Sequence, residues 1–430
     1  MSDPSKRQGS TVVTSNEPRP DVDVVVIGGG VNGSGVARDA ALRGLKVALF
    51  ERNDFAFGAS GNSSGMIHGG VRYLTYDPAV TKKSSLDSGF IQRIAPHLLF
   101  RIPFLLPVTE GPGSRALLAL MDAFFEAYDQ YQPLKRGKPH ARIDPADLRK
   151  LEPGLVGDVV GGVTFDEWGI DGSRLVVSNA LDAELHGARI EVHTTVEKIQ
   201  RHPDTGAPIA VEIRDQITGK REVVTTRVIV NATGAWSPFT TEMASLPQTA
   251  SAVRGGKGIH VVYDRRLTNY AIVAKTIDGR QIFLEPWQNM SVLGTTDDDY
   301  YGSLDRVRAT TDEVRYLEQA MARVFPAIKT ARAIGTYAGV RLTLYNWGTI
   351  EDKLSREHEV IDHARHGAPG MFSLIGGKLA SYRLFAEEAT DLVMAHLGRG
   401  ETSTTHSKPL PGGDREVIHS SSRSRSRSMP

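Results

Sequence analysis

A cluster of glycines near the N-terminus has the spacing that binds the diphosphate of a dinucleotide. Residues 28–33 read GGGVNG and fit the pattern G-x-G-x-x-G. Gly28 would permit a tight turn, Gly30 would let the backbone approach the phosphates, and Gly33 would let a helix pack closely on a strand. The N-terminus of that helix adds N–H groups and a positive dipole. These residues predict a dinucleotide site.

The segments around the glycines predict the elements that such a site needs. Residues 23–27 read DVVVI, a short β-branched run that is typical of a buried parallel strand. Residues 36–43 predict a helix that ends at Gly44, and residues 46–51 predict the next strand. That strand ends in Glu51, where an acid can accept hydrogen bonds from the adenosine ribose. The segment therefore predicts a βαβ unit with a complete dinucleotide fingerprint.

A second segment favours FAD over a nicotinamide cofactor. Residues 228–236 read VIVNATGAW, an apolar strand that runs into A-T-G and contains Gly234 and Trp236. Such a segment recurs in flavoproteins with two dinucleotide folds, where the backbone passes the phosphates of the cofactor. The sequence holds one G-x-G-x-x-G pattern, so we expect FAD and no nicotinamide site.

The composition limits which other chemistry is available. The 430 residues contain no cysteine, which excludes disulfides, thiolate catalysis and cysteine-ligated iron–sulfur clusters in this sequence. The net charge of +1 gives no indication of a nucleic-acid partner, and we expect no metal site. Electron transfer would then depend on a bound organic cofactor.

Five further motifs carry a family resemblance. They are GASGNSSGMIHGGVRY at 58–73, IAPH at 94–97, GTTD at 294–297, YAGVR at 337–341 and GGKLASYR at 376–383. In this order and spacing the chain resembles the FAD-dependent glycerol-3-phosphate dehydrogenases, within the D-amino-acid-oxidase-like superfamily, over about residues 21–395. The resemblance implies oxidation of sn-glycerol 3-phosphate to dihydroxyacetone phosphate by hydride transfer to FAD, with the electrons passing to a quinone.

The resemblance also assigns residues to the site. The cofactor would contact the glycine loop, the first loop motif and the later glycine-rich turns, through Gly28, Gly30, Gly33, Glu51, Ser60, Ser63, Ser64, Val196, Gly234, Trp236, Gly377, Lys378 and Leu379. The substrate would contact Arg72, Tyr73, Arg341 and Arg356. The catalytic residues would be His68, Arg72 and Lys378. Asp297 is expected to shape a turn or a polar network.

The chemistry of these side chains agrees with a phosphorylated substrate. A phosphate monoester is nearly a dianion at neutral pH, and the planar guanidinium groups of arginine bind its oxygens in pairs. His68 is the best candidate for the base that takes the C2 hydroxyl proton, because histidine ordinarily titrates near neutral pH. Lys378 and the N-terminus of the helix that follows are placed to stabilise negative charge that develops during hydride transfer.

The elements predict an α/β fold with a βαβ unit and an antiparallel sheet. The resemblance implies that a discontinuous Rossmann-type FAD-binding domain carries an α+β substrate domain built on that sheet. Short strands at 253–263, 270–275, 281–286 and 291–294 predict that sheet. The FAD-binding domain is assigned to residues 21–105, 155–245 and 335–400, the substrate or cap domain to 106–154 and 246–334, and disordered tails to 1–20 and 401–430.

Several alternatives stay open. The family usually continues after the GGKL helix into a further domain, and Leu342 stands where it usually has proline. The alternatives are another superfamily activity on an anionic hydroxy acid or an amine, a glycerol-3-phosphate oxidase that uses dioxygen, and an inactive flavin-binding subunit. The sequence shows no signal peptide and no membrane span, so we expect a cytoplasmic protein, peripheral at most at the inner face of the cell membrane. It also stays open whether the chain forms a homo-oligomer or pairs with a partner subunit.

Overall fold

The computed structural model describes residues 19–71, 74, 78–131, 136–247, 253–344 and 358–414. Its helices are α1 Val31–Leu42, α2 Pro78–Ile94, α3 Ser114–Asp129, α4 Pro145–Leu151, α5 Gly172–Leu185, α6 Ser237–Met243, α7 Thr311–Met321 and α8 Tyr382–His396. Its strands are β1 Val22–Ile27, β2 Val47–Phe50, β3 Leu99–Thr109, β4 Ala141–Ile143, β5 Val159–Ile170, β6 Arg189–Glu191, β7 Thr194–Arg201, β8 Pro208–Asp215, β9 Arg221–Asn231, β10 Val253–Tyr263, β11 Ala271–Lys275, β12 Gln281–Trp287, β13 Met290–Gly294, β14 Asp298–Asp299, β15 Ala333–Leu344, β16 His358–Asp362 and β17 Met371–Gly376.

The first sheet is largely parallel and contains the predicted βαβ unit. Its strand order is β16-β17-β9-β1-β2-β6, and β8 and β7 extend it from β9. Strands β17, β9, β1, β2 and β6 run parallel, whereas β16 is antiparallel to β17. Helices α1 and α8 cover one face, where the apolar residues of β1, β2 and β9 pack against Val36, Phe385 and Val393. Because both faces of the central strands are buried, they read as continuous apolar runs in the sequence.

The second sheet is mostly antiparallel. Its strand order is β14-β10-β13-β12-β11-β3-β5-β4, and β15 pairs with β10 over eleven residue pairs. One face packs on α7 through a cluster that includes Ile259, Leu284 and Leu317. The opposite face carries every second residue of the same strands, among them His260 and Tyr337. These two side chains contact the loop that follows β2. The α/β fold class is therefore confirmed.

The antiparallel sheet includes three strands from segments that the sequence assigns to the FAD-binding domain. All of β5 and most of β3 and β15 fall in those segments, yet the three strands belong to the antiparallel sheet. Strand β3 pairs with β5 along its whole length. An apolar strand pattern does not reveal which sheet the strand joins, so the sequence does not predict this long-range pairing. The division into two domains remains a prediction.

The C-terminal segment also differs from the prediction. Residues 401–414 pack on the molecule instead of forming a tail, with Leu410 only 1% exposed. The Leu410 N–H donates to the carbonyl oxygen of Ile94 at 2.8 Å, and the Arg38 guanidinium donates to the Lys408 carbonyl oxygen at 2.6 Å. The remaining parts of the two predicted tails, residues 1–18 and 415–430, lie outside the described residues. None of the helices in the described ranges has the length and apolar character needed to span a membrane.

Candidate active site

The turn between β1 and α1 is so tight that glycine is required at two positions. Gly28 has a φ of +110°, and a Cβ there would lie 2.7 Å from the carbonyl oxygen of Ala232. A Cβ on Gly33 would lie 2.0 Å from the carbonyl oxygen of Gly28. Gly30 is the N-cap of α1 and has no side chain with which to cap the helix. This open helix N-terminus is the arrangement that binds a phosphate.

Glu51 and Ser60 close this loop from two sides. The Glu51 carboxylate accepts hydrogen bonds from the N–H groups of Gly29 at 2.6 Å and Asn53 at 2.7 Å. A carboxylate has about four acceptor positions, so it can also accept hydrogen bonds from ribose hydroxyls. The Ser60 hydroxyl oxygen accepts a hydrogen bond from the Val31 N–H at 3.0 Å. The loop after β2 is therefore held against the N-terminus of α1.

That loop, which we call the serine loop (residues 58–71), crosses from the glycine turn to the antiparallel sheet. The Ser64 hydroxyl lies 2.9 Å from Nε2 of His260 on β10. The Tyr337 hydroxyl of β15 donates to the Ser63 carbonyl oxygen at 3.4 Å. The predicted cofactor residues of the loop thus connect the parallel sheet to one face of the antiparallel sheet.

His68 lies near the end of the serine loop and is half-buried. Its Nδ1 accepts a hydrogen bond from the Gly70 N–H at 3.0 Å. The Gly69 N–H donates to the buried carboxylate of Glu167 on β5 at 3.3 Å. These bonds fix the turn that carries the imidazole. An accepting Nδ1 assigns the proton of the neutral ring to Nε2.

His260 and Tyr337 form a polar pair on the sheet face beneath the serine loop. They are direct neighbours across β10 and β15, and their rings stack with centroids 4.6 Å apart. Burial, together with the positive charge of Arg341, lowers the pKa of His260 to about 3. The His260 ring is therefore neutral at pH 7, and it can take part in hydrogen bonding but is a weak base.

Glu285 on β12 is the third polar side chain in this part of the sheet. It is 0% exposed, and neither carboxylate oxygen has a hydrogen-bond partner among the described residues. Its cross-strand neighbour on β13 is the apolar Val292. The residue before it, Leu284, pairs with the apolar Ile272 on β11. Burial raises the pKa of Glu285 well above its ordinary value, so the fold favours the protonated acid.

Arg341, the predicted phosphate ligand on β15, is anchored by the GTTD motif. Its Nη1 lies 2.8 Å from Asp297 Oδ1 and donates to the Thr296 carbonyl oxygen at 3.1 Å. Its Nη2 lies 3.4 Å from Thr295 Oγ1. The Arg341 side chain is 28% exposed, whereas the Asp297 side chain is 4% exposed. The guanidinium therefore reaches from a buried anchor toward an accessible surface.

The predicted glycine turn after β17 is also present. Gly376 and Gly377 have φ values of +76° and +90°, and Lys378 is the N-cap of the short 3₁₀ turn Leu379–Ser381. That turn leads directly into α8. Lys378 and Leu379 are half-buried at the end of the parallel sheet. The backbone thus places Lys378 at the start of a helical segment, as the sequence predicts.

The remaining predicted cofactor residues lie in the parallel-sheet region. Gly234 has a φ of +57° and begins the 3₁₀ turn that contains Trp236. The Trp236 indole N–H donates to Asp305 at 3.3 Å, and the Arg52 guanidinium lies 5.5 Å from the ring centroid. Val196 on β7 is 5% exposed and packs in an apolar cluster. Its side chain belongs to the core, so a cofactor contact would use its backbone.

Three predicted residues, Arg72, Tyr73 and Arg356, lie outside the described residues, and their roles stay predictions. Hydrogen bonds join several of the other predicted residues into two groups. The first group is the glycine loop with Glu51 and Ser60. The second group is Ser63 and Ser64, which contact the antiparallel sheet. A cavity of about 260 Å³ lies between them, and its lining includes Ser60, Ser63, Gly172, Trp287, Val292 and Tyr337.

Comparison with known proteins agrees with this geometry. The family described as "FAD dependent oxidoreductase" (DAO) matches residues 23–383. The chain belongs to the FAD-dependent oxidoreductase family. The match spans both sheets, from β1 to the beginning of α8.

Within this family, the chain is similar to proteins that are named glycerol-3-phosphate dehydrogenases. The chain is 34% identical over 412 residues to glycerol-3-phosphate dehydrogenase of Synechocystis sp., covering 91% of this chain and 73% of the relative. It is 33% identical over 394 residues to a subunit of the anaerobic glycerol-3-phosphate dehydrogenase of Escherichia coli, covering 91% and 70%. A solved glycerol-3-phosphate dehydrogenase from Bacillus halodurans, complexed with FAD, superposes with a TM-score of 0.71 at 27% identity and covers 91% of this chain and 68% of that one.

The residues of this oxidoreductase fit FAD. A side chain at Gly28 or Gly33 would collide with backbone, so the turn is shaped to leave space beside the helix N-terminus. Glu51 is fixed by two backbone N–H groups where the ribose of a dinucleotide would lie. Ser60 lies beside the same helix N-terminus and also lines the cavity. We infer that these residues hold the adenosine and phosphate part of FAD, and that the flavin lies toward the cavity.

Sequence motifs do not assign a site role to His260, Tyr337 or Glu285. Tyr337 lies in the motif YAGVR, which suggests a function only for its arginine. His260 and Glu285 alternate with apolar residues along β10 and β12. A lone polar residue inside an apolar stretch of a strand is the signal that could have found them, because a buried polar side chain there needs a partner or a function.

Proposed function

We propose that this FAD-dependent oxidoreductase oxidises sn-glycerol 3-phosphate to dihydroxyacetone phosphate and passes the electrons to a quinone-type acceptor. The names of the relatives support the substrate. The observation that carries the proposal is Arg341 on β15, whose guanidinium is held by the buried carboxylate of Asp297 and is partly exposed. A partly exposed guanidinium in a fixed orientation suits a substrate phosphate, because it can bind two of the phosphate oxygens at once.

The cofactor defines what the protein side chains need to do. FAD, when bound, accepts the hydride that leaves C2 of the substrate. Gly28, Gly30 and Gly33 would hold its diphosphate, and Glu51 its ribose. Lys378 is proposed to place its ammonium where negative charge develops during hydride transfer. Arg72, Tyr73 and Arg356 are proposed as further substrate ligands.

His68 is proposed as the group that takes the proton of the C2 hydroxyl. Its Nδ1 accepts a hydrogen bond from the Gly70 N–H, so the neutral ring carries its proton on Nε2 and its basic lone pair on Nδ1. To take the substrate proton, Nδ1 would exchange this hydrogen bond for the one from the C2 hydroxyl. His260 is less suited, because its lowered pKa makes it a weak base. Burial in the sheet gives His260 a supporting role as a neutral hydrogen-bonding group.

Substitution separates the two histidines. His68→Gln should lower kcat by about 10²–10⁴-fold with little change in KM, because general-base catalysis contributes on that scale. His260→Gln should have a smaller effect on kcat. Steady-state kinetics with an artificial electron acceptor would measure both. An unchanged kcat in His68→Gln, with a large loss in His260→Gln, would move the base to His260.

Product formation tests the activity itself. Purified holoenzyme with an artificial electron acceptor should form dihydroxyacetone phosphate from sn-glycerol 3-phosphate and should not oxidise glycerol. Turnover of D-amino acids or 2-hydroxy acids in preference to the phosphate ester would instead support another activity of the superfamily. Rapid hydrogen peroxide formation in air, with no transfer to a soluble quinone, would replace the quinone-type acceptor with dioxygen.

A further inference from the structure

Three arginines from separate parts of the antiparallel sheet converge on Asp297. Arg341 Nη1 lies 2.8 Å from Asp297 Oδ1, Arg254 Nη1 lies 3.5 Å from the same oxygen, and Arg280 Nη1 lies 3.6 Å from Oδ2. Arg280 also donates to the Asp297 carbonyl oxygen at 3.4 Å. One carboxylate thus fixes guanidinium groups from β10, β15 and the turn before β12.

The four side chains of this cluster differ in how much of each is exposed. Asp297 is 4% exposed and Arg254 8%, whereas Arg280 is 15% and Arg341 28% exposed. A buried carboxylate is stable in this setting only if it is paired, and here it lies among several cations. The arrangement therefore has an inner anchor, Asp297, and an outer group, Arg341, that a ligand can reach.

Asp297 and Arg254 are themselves held by further contacts. Arg280 holds Asp297 at two points, its carboxylate Oδ2 and its carbonyl oxygen, and the Nε of Arg254 is paired with Asp299. Asp297 is therefore fixed where it contacts Arg341. An anion that approaches Arg341 meets a guanidinium in a partly buried setting, where screening by salt is weak.

The strand beneath the cluster leaves room for it. A Cβ on Gly256 would lie 2.6 Å from Asp297 Oδ1, and a Cβ on Gly258 would lie 2.4 Å from Arg341 Nη2. Side chains at either position would push the ion pair away from the sheet. Both glycines belong to β10, so the backbone of this strand forms the floor on which Asp297 and Arg341 meet.

We infer that Asp297 is a positioning residue that orients the Arg341 guanidinium toward the substrate phosphate, and that Arg280 holds the Asp297 carboxylate in place. This inference rests on the proposed function, because it names the phosphate-binding end of the same site. Asp297 itself contacts arginines and acts on the substrate through them. Its loss should therefore weaken recognition of the phosphate more than it slows hydride transfer.

Asp297→Asn in the holoenzyme tests the inference. KM for sn-glycerol 3-phosphate should rise about tenfold or more, the scale of one charge-assisted hydrogen bond, while kcat falls much less. The inhibition constant of inorganic phosphate, used as a competitive probe, should rise in parallel. Asp297→Glu should recover part of the phosphate affinity, because it restores the carboxylate.

Asp182→Asn is the matched control. Asp182 forms a buried pair with Arg38 at 2.6 Å between α5 and α1, so its loss removes the same kind of ion pair away from the cluster. We expect this variant to lose stability and to keep the wild-type KM and phosphate inhibition constant. Equal values of both constants in Asp297→Asn and Asp182→Asn would overturn the inference.

Arg280→Gln covers the case in which Asp297→Asn does not fold. This variant should weaken inhibition by phosphate by several-fold, and an unchanged inhibition constant would overturn the role of the cluster. A failure of the proposed function is distinguishable from both results. In that case the wild-type enzyme itself would not oxidise sn-glycerol 3-phosphate.

Discussion

At the scale of single residues, Glu285 is an ionisable group in a setting that opposes its charge. It is fully buried, its cross-strand neighbour Val292 is apolar, and burial raises its pKa well above the ordinary value. The folded protein therefore favours the neutral acid, whereas the unfolded chain ionises as an ordinary glutamate. Folding then takes up a proton at any pH between the two pKa values.

This linkage predicts a pH-dependent effect of Glu285→Gln. The contribution of the wild-type carboxyl is complete below the unfolded pKa and is lost as pH rises from there toward the raised folded pKa. Wild type should lose about 1.4 kcal/mol of unfolding free energy per pH unit relative to Glu285→Gln across that interval. Denaturant unfolding of the holoenzymes at pH 5, 6.5 and 8 measures the difference.

Glu212→Gln serves as the control for this measurement. Glu212 is on the surface, and a hydrogen bond from Gln200 lowers its pKa, so its substitution should produce a small effect of the opposite sign. Wild-type and Glu285→Gln curves that stay parallel from pH 5 to 8 would show that the Glu285 carboxyl is ionised or solvated in the folded protein.

Motifs single out candidate residues in the sequence, whereas residues that become neighbours through packing carry no motif. Ser64 and Arg341 belong to sequence motifs; Ser64 contacts His260 on the antiparallel sheet, and Arg341 contacts the GTTD motif. His260 stands beside Tyr337 only because β10 pairs with β15, which is distant in the sequence. Glu285 stands in the local pair of β12 and β13, and its burial depends on what packs over that face of the sheet. A single sequence shows that such a residue is polar but not which cavity or side chain it faces.

At the scale of elements, the turn from β1 into α1 is the part of the site with the least tolerance for change. Gly33→Ala would place a Cβ about 2.0 Å from the Gly28 carbonyl oxygen, so the helix or the turn would have to move. We expect at least a tenfold loss of FAD affinity, or about 1.4 kcal/mol, because the helix N-terminus would no longer approach the diphosphate.

Gly400→Ala provides the comparison, because nothing lies within 4 Å of a Cβ at that position. The ratio of flavin to protein absorbance after purification, followed by titration of the deflavinated protein with FAD, would measure both variants. A Gly33→Ala protein that is as yellow as Gly400→Ala and binds FAD equally well would contradict the assignment of the glycine turn.

The elements themselves follow closely from sequence periodicity. Strands β1, β2 and β10 to β13 and the β17-glycine-α8 unit agree with the prediction to within a few residues. The partners of β3 and β5 do not follow from it, because residues 99–109 pair with residues 159–170 across an intervening helical segment. Periodicity is a local property, whereas the pairing of these two strands depends on how distant segments pack.

At the scale of the whole molecule, the site depends on how the serine loop joins the two sheets. The loop contacts α1 through Ser60 and the antiparallel sheet through Ser63 and Ser64. Strand β15 approaches the same loop, since a Cβ on Gly339 would lie 3.0 Å from Asn62. A substrate between the sheets would therefore meet groups from both at once.

The C-terminal segment shows the limit of composition as a guide at this scale. Residues 401–414 are polar, small and rich in turn formers, which predicts a solvated tail. The segment is instead held by Thr405 and Leu410, which are 2% and 1% exposed. The Leu410 N–H also donates to the Ile94 carbonyl oxygen, and the Arg38 guanidinium donates to the Lys408 carbonyl oxygen. One or two buried side chains are too few to produce a periodic signal.

Anaerobic mixing of the purified holoenzyme with sn-glycerol 3-phosphate tests the central claim most directly. We expect rapid loss of the visible flavin absorbance, with no such loss on mixing with glycerol or D-amino acids. Bleaching by an amine or a hydroxy acid, with none by the phosphate ester, would contradict the proposed substrate and leave the flavoprotein fold in place. A protein that cannot bind FAD would contradict the assignment of the site itself.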